Sequence, residues 1–156
     1  MSNLARFNNK AIAAFKAFPL SIALLIVRIA FFYSTAFYAS GLQKWDGFLQ
    51  LSFSAKILFS SEFKLNILGG IYDMPFPTVS AFLAGIGEIV LPIAILVGFA
   101  SRYSALGLIL MTAVIQLVFP DAWKLHLGWV SYLVVILALG PGKISVDHLL
   151  QRFDKK

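Results

Sequence analysis

Cysteine is absent from the chain, and charged residues are few. The 156 residues include no cysteine, which excludes disulfides, thiol redox chemistry, cysteine-ligated iron–sulfur clusters and thioether attachment of haem. Charged residues make up 13% of the chain, against about 25% in an ordinary soluble domain. Hydrophobic residues make up 60%. This balance predicts that lipid is the solvent for most of the protein.

Apolar runs suited to membrane helices occur at residues 19–40, 78–100, 104–119 and 123–139. A helix of about 20 apolar residues crosses a bilayer. We therefore predict an all-α, polytopic membrane protein, with one membrane domain over residues 1–156 folded as a four-transmembrane-helix bundle.

The segments outside these spans have characters of their own. The composition of residues 1–18 predicts a basic amphipathic segment, and that of residues 143–156 predicts an amphipathic tail at the membrane surface. Residues 41–77 predict an external loop. Within it, residues 48–59 alternate like a strand, but a lone strand would have no partner, so we interpret them as an interfacial or re-entrant segment.

Basic residues are unequally divided between the two sides of the predicted bundle. One side carries eight (Arg6, Lys10, Lys16, Arg102, Lys143, Arg152, Lys155, Lys156), and the other carries four (Lys44, Lys56, Lys64, Lys124). The positive-inside rule then places both termini in the cytoplasm, N-in and C-in. Because the net charge of +6 flanks apolar runs, it indicates membrane orientation rather than a nucleic-acid partner.

Two charged residues fall inside predicted spans, where an ionisable group normally faces a partner or a pathway. Glu88 lies near the middle of the second span and Arg28 lies within the first. At 1.5 Å per residue, Arg28 lies roughly 13 Å and Glu88 roughly 17 Å from the cytoplasmic side. This depth predicts an Arg28–Glu88 pair, which either binds the helices together or forms part of a catalytic site. Pro92 lacks the N–H that would bond the carbonyl of Glu88.

A second polar group is predicted at the outer end of the bundle, with Lys44, Gln116, His126 and Trp129 among its members. His126 could bond a ligand carbonyl or pass a proton, and the others could bind a ligand or act as interfacial anchors. Thr35 recurs seven residues after Arg28 on the same helical face, so we expect it to face the bundle as a ligand-binding candidate.

Histidines are too few for most metal sites. His126 and His148 are the only two, and the predicted topology places them on opposite sides of the membrane, so no metal site is expected. A haem would have to be shared between subunits.

Short motifs along residues 20–150 resemble the DoxX family of small four-helix membrane proteins, which includes the DoxD-type small subunit of thiosulfate:quinone oxidoreductase. They include Arg28, the sequence GLQK ending at Lys44, Glu88, the sequence LVGFASR ending at Arg102, His126, and the sequence GPGKISVD ending at Asp147. The resemblance implies a bacterial inner-membrane protein linked to quinone-dependent redox chemistry. It suggests functional roles for Arg28, Lys44, Glu88 and His126.

Three functions stay open at this point. The first is a quinone-linked oxidoreductase subunit, in which Glu88, Arg28 and His126 are catalytic and a lipid-soluble molecule binds between the helices. The second is a non-catalytic membrane anchor or assembly partner, linked to metal or oxidative stress. The third is a small-molecule or proton conduit. Because four helices rarely bury a redox cofactor unaided, we expect a homo-oligomer or a hetero-complex with a redox protein, surrounded by membrane lipid.

Overall fold

The computed structural model describes residues 19–153. The predicted segment 1–18 and the last three residues of the predicted tail lie outside this range. The first predicted span, 19–40, is two helices, α1 (Leu20–Ser34) and α2 (Phe37–Leu42). The prediction of one continuous helix is wrong because the backbone of Thr35 is extended. Thr35 is β-branched, which disfavours a helical backbone at this position.

Residues 43–76, which we call the cap, connect α2 to the second long helix. The cap contains a hairpin of β1 (Trp45–Gly47) and β2 (Gln50–Leu51), then α3 (Phe53–Ile57) and a π-helical turn (Leu58–Glu62). A second antiparallel hairpin follows, formed by β3 (Lys64–Ile67) and β4 (Gly70–Asp73). Residues 48–59 therefore contain β2, α3 and the first part of the π-helical turn, and their interfacial or re-entrant position stays a prediction. Each short strand finds its partner in its own hairpin, a possibility that the period-2 alternation did not reveal.

Three long helices complete the bundle: α4 (Pro77–Val97), α5 (Ser101–Val118) and α6 (Trp123–Leu139). Pro77 occupies the first turn of α4, where a missing N–H costs nothing. Gly98 ends α4 in the left-handed conformation with φ of +75°. A short helix, α7 (Val146–Phe153), follows the turn at residues 140–145.

The long helices pack in a ring, with α1 against α4 and α6, and α5 between α4 and α6. Leu24, Arg28 and Phe31 form the buried face of α1. The main core gathers residues from α1, α2, α4, α5 and α6, and a smaller cluster packs the cap against the first turns of α4. The cap therefore covers one end of the bundle, and α7 lies at the other.

Within residues 19–153, α4, α5 and the segment Pro120–Leu139 are long and apolar enough to cross a membrane, while α1 is apolar but shorter. The predicted helical membrane bundle is confirmed, with α1 as its fourth apolar helix. At 1.5 Å per residue, the 15 residues of α1 span about 22 Å, less than the roughly 30 Å of a bilayer core. The cap hairpins are an addition to the predicted all-α class.

Candidate functional site

Glu88 pairs with Lys44. Nζ of Lys44 lies 2.6 Å from Oε2 of Glu88 and also donates to the hydroxyl of Ser40 at 2.9 Å. Glu88 is 6% exposed near the middle of α4. The predicted Arg28–Glu88 pair is therefore wrong. The break at Thr35 separates α2 from α1, and α2 packs along α4. Lys44, two residues beyond the end of α2, therefore reaches the acid.

A close helix contact holds this pair in place. A Cβ at Gly41 of α2 would lie 2.8 Å from Cγ1 of Ile89 and 3.0 Å from Cβ of Glu88. Such distances leave no room for a side chain, so only glycine lets α2 lie flat on α4 at this height. Lys44 follows one turn later, which fixes the start of its side chain beside the carboxylate.

The cap packs against the part of α4 that precedes Glu88. Ala81 and Gly85 are buried, and a Cβ at Gly85 would lie 2.7 Å from the indole of Trp45. The small residues on this face of α4 leave room for the indole. Its Nε1 is buried and has no hydrogen-bond partner among residues 19–153. Pro92 lies inside α4 and, lacking an N–H, cannot bond the carbonyl of Glu88.

Arg28 belongs to the opposite end of the bundle. It is 1% exposed, and its Nη2 donates to the carbonyl of Ile144. A Cβ at Gly98 would overlap its guanidinium. Nε and Nη1 are buried without a partner in the described part of the chain. Arg28 therefore anchors the link before α7 to α1, about ten residues along α4 from Glu88.

His126 and Gln116 meet at the cap end of α5 and α6. Nδ1 of His126 lies 2.6 Å from Oε1 of Gln116, and Nε2 of Gln116 donates to the carbonyl of Pro120 at 2.9 Å. Because the amide nitrogen is used by Pro120, the amide oxygen is the atom that faces the ring, and Nδ1 carries the proton. Nε2 of His126 is then left as an acceptor.

Aromatic contacts connect His126 to α2. The ring centre of Trp129 lies 5.1 Å from that of His126 and 5.0 Å from that of Phe37. Within residues 19–153, the indole Nε1 of Trp129 and the hydroxyl of Thr35 are buried without hydrogen-bond partners. A buried donor left unpaired costs about 1 to 3 kcal/mol, so these atoms are candidates for contact with a ligand.

Six of the seven predicted site residues fall into three groups, and the seventh, Thr35, lies in the break between α1 and α2. Lys44 and Glu88 form an ion pair, Gln116, His126 and Trp129 form a polar and aromatic group, and Arg28 stands apart from both. Phe37 and Gly41 lie one turn apart on α2, so this short helix contacts the first two groups at once.

Sequence reasoning did not single out Ser40, Phe37 or Trp45. Ser40 could have been found, since it lies one helical turn before Lys44.

No three His, Asp or Glu side chains come together as a metal-holding group anywhere in residues 19–153. His126 lies at the start of α6 and His148 lies in α7, at opposite ends of the bundle.

Comparison with known proteins gives the family. The DoxX family profile matches residues 23–121 of this chain. A protein of Haemophilus influenzae that carries only the name "Uncharacterized protein" is 28% identical over 140 residues, covering 84% of this chain and 85% of its own length. No solved structure matches at a significant level. The matched residues include most of α1, all of α2, the cap and the Lys44–Glu88 pair, and the chain is a multi-pass membrane protein that belongs to the DoxX family.

Proposed function

We propose that this DoxX-family protein is a subunit of a quinone-linked redox system in the bacterial inner membrane, with both termini cytoplasmic. A quinone or a similar lipid-soluble carbonyl compound would bind beside the Lys44–Glu88 pair. The observation that carries the proposal is this ion pair, which is buried in an apolar helix bundle where hydrophobic side chains could have packed instead. A buried ion pair adds little stability over such packing, so a role in binding or proton transfer accounts for it better.

Proton transfer is the chemical task of the pair. A quinone takes up two electrons and two protons as it becomes a quinol, and the electrons come from a partner redox protein. Glu88 would give and regain a proton, while Lys44 would stabilise the carboxylate between transfers. The side chain of Glu88 is 8% exposed and that of Lys44 is 12% exposed. A ligand would therefore reach the pair from the side, where α2 and α4 meet.

Unpaired donors beside α2 support a carbonyl-bearing ligand. The indole N–H of Trp129 and the hydroxyl of Thr35 lack partners within residues 19–153, and each could donate to a carbonyl oxygen. His126, with Gln116 fixing its tautomer, would serve the opening at the cap end. Arg28 takes no part in this chemistry, since its contacts lie with Ile144 and Gly98.

Substitution of Glu88 by glutamine tests the proposal. Glutamine keeps the size of the side chain but cannot carry a proton, so quinone reduction in membranes should fall about 100-fold, the usual worth of an acid–base group. The matched control is Glu62→Gln, because Glu62 is exposed on the cap. Unchanged turnover in the Glu88 variant, with both variants folded, would contradict a proton-transfer role.

A non-catalytic anchor is the second candidate function. It is favoured by the way Lys44 ties the start of the cap to α4, which is also what a structural ion pair would do. In that case the double substitution Lys44→Met and Glu88→Leu should leave a folded protein that still captures its partner. Co-purification of the redox partner with this variant, together with normal turnover, would favour the anchor over the enzyme subunit.

A further inference from the structure

A cleft of about 920 Å³ opens at the end of the bundle opposite the cap. Its walls are the start of α1, the α4–α5 turn, the link at residues 140–145 and α7. Leu20, Leu24 and Leu150 contribute apolar surface, and Ser21, Arg102 and Lys143 contribute polar surface. Lys44, Glu88 and His126 do not line it, so the cleft is separate from the proposed quinone site.

The charges that line the cleft leave it positive. Arg102 and Lys143 are exposed cations. The carboxylate of Asp147 also lines the cleft, but its oxygens accept the N–H groups of Ala100 at 2.7 Å and Ser101 at 2.9 Å, and the Ser101 hydroxyl at 2.9 Å. This acid caps the N-terminus of α5, where the helix dipole offsets its charge.

The two ends of the bundle differ in their acids. Four acidic residues lie in or beside the cap, namely Asp46, Glu62, Asp73 and Asp121. At the cleft end, the only acid within residues 19–153 is the capping residue Asp147. The cap end is therefore close to neutral, whereas the cleft end is basic and attracts anions.

The helix that forms one wall of the cleft is amphipathic. Leu149, Leu150 and Phe153 of α7 are all exposed, while Asp147 faces the α4–α5 turn. A short helix with exposed apolar side chains at the end of a membrane bundle lies in the interface, at the level of the lipid headgroups. The cleft therefore opens where a phospholipid offers both a phosphate and the first part of its acyl chains.

We propose that this cleft is a binding site for an anionic phospholipid. Arg102 and Lys143 bind the phosphate, since guanidinium and ammonium groups are the usual donors to phosphate oxygens. The side chain of His148, whose Nε2 is buried without a partner in residues 19–153, lines the same cleft and provides a further donor. Leu20 and Leu150 contact the acyl chains. Basic pockets between membrane helices bind anionic lipid headgroups in this way.

Lipid retention by the purified full-length protein tests the site. The protein is mixed with equal amounts of phosphatidylglycerol and phosphatidylcholine, and bound lipid is counted by native mass spectrometry. We expect selective retention of one phosphatidylglycerol. The double variant Arg102→Gln and Lys143→Gln should retain at least fivefold less. The control variant Lys56→Gln and Lys124→Gln, which removes the same charge at the cap end, should retain as much as the unsubstituted protein.

A second variant separates a shaped site from general attraction to a basic surface. Gln151 lines the cleft, so Gln151→Trp fills it without changing any charge and should also lower retention. Equal retention of both lipids, or equal loss in the control variant, would overturn the proposal. Displacement of the lipid by millimolar glycerol phosphate would show that the site takes a free phosphate instead. None of these outcomes depends on quinone reduction.

Discussion

At the scale of single residues, two glycines of the bundle have opposite surroundings. Gly85 of α4 lies under the indole of Trp45, which a Cβ would approach to 2.7 Å, whereas a Cβ at Gly128 of α6 would have nothing within 4 Å. The first glycine is required by a contact, and the second is not.

Alanine at each position should therefore act in opposite directions. Gly85→Ala forces the indole or the cap to move and should lower the free energy of unfolding by about 1 to 3 kcal/mol, the usual cost of overpacking. Gly128→Ala should leave stability unchanged or raise it by up to about 1 kcal/mol through helix propensity. Thermal unfolding in detergent measures both. Equal destabilisation by the two substitutions would mean that Trp45 does not pack on Gly85.

At the scale of elements, the side chains of Asp147 and Arg28 join α7 and the link before it to the rest of the bundle. Asp147 caps α5 through Ala100 and Ser101, and its own N–H donates to the carbonyl of Gly98 at 2.9 Å. Arg28 holds the preceding residues through Ile144. The position of α7 therefore depends on a helix cap and a buried arginine.

Asp147→Ala should loosen α7 and weaken α5 together. Loss of an N-cap side chain costs about 0.5 to 2 kcal/mol, so thermal unfolding should begin at a lower temperature and proteases should cut near residue 145 sooner. Asp121→Ala is the control, because Asp121 is exposed in the turn before α6. If tail cleavage is unchanged in the Asp147 variant, the cap does not hold α7.

At the scale of the whole molecule, the absence of cysteine makes the orientation measurable. Lys143 lies at the cleft end and Lys56 lies in the cap, and both are exposed. The asymmetry of basic residues predicts that the cleft end faces the cytoplasm.

Single cysteines introduced at these positions report the topology. Lys56→Cys should react with a membrane-impermeant maleimide in intact cells, and Lys143→Cys should react only after the membrane is opened. The cysteine-free parent gives the background. Labelling of the Lys143 variant in intact cells would reverse the predicted orientation.

Much of the fold could be predicted because apolar length is a local property. Helices α4, α5 and α6 lie within or close to the predicted spans, and Glu88 stood out as a candidate because it is an acid inside an apolar run. The pairing of Glu88 could not be predicted, because the depth argument assumed a continuous first span. The extended backbone at Thr35 breaks that span, and Gly41 then brings Lys44 to the acid.

The sequence by itself determined that this is a helical membrane protein of the DoxX family, because hydrophobicity, helix punctuation and motif order are all encoded along the chain. Only the tertiary structure decided which charges meet. It paired Glu88 with Lys44 and placed Arg28 against the link before α7. The packing of the short helix α2 and the close contacts at Gly41 and Gly98 set distances between segments that no local pattern records.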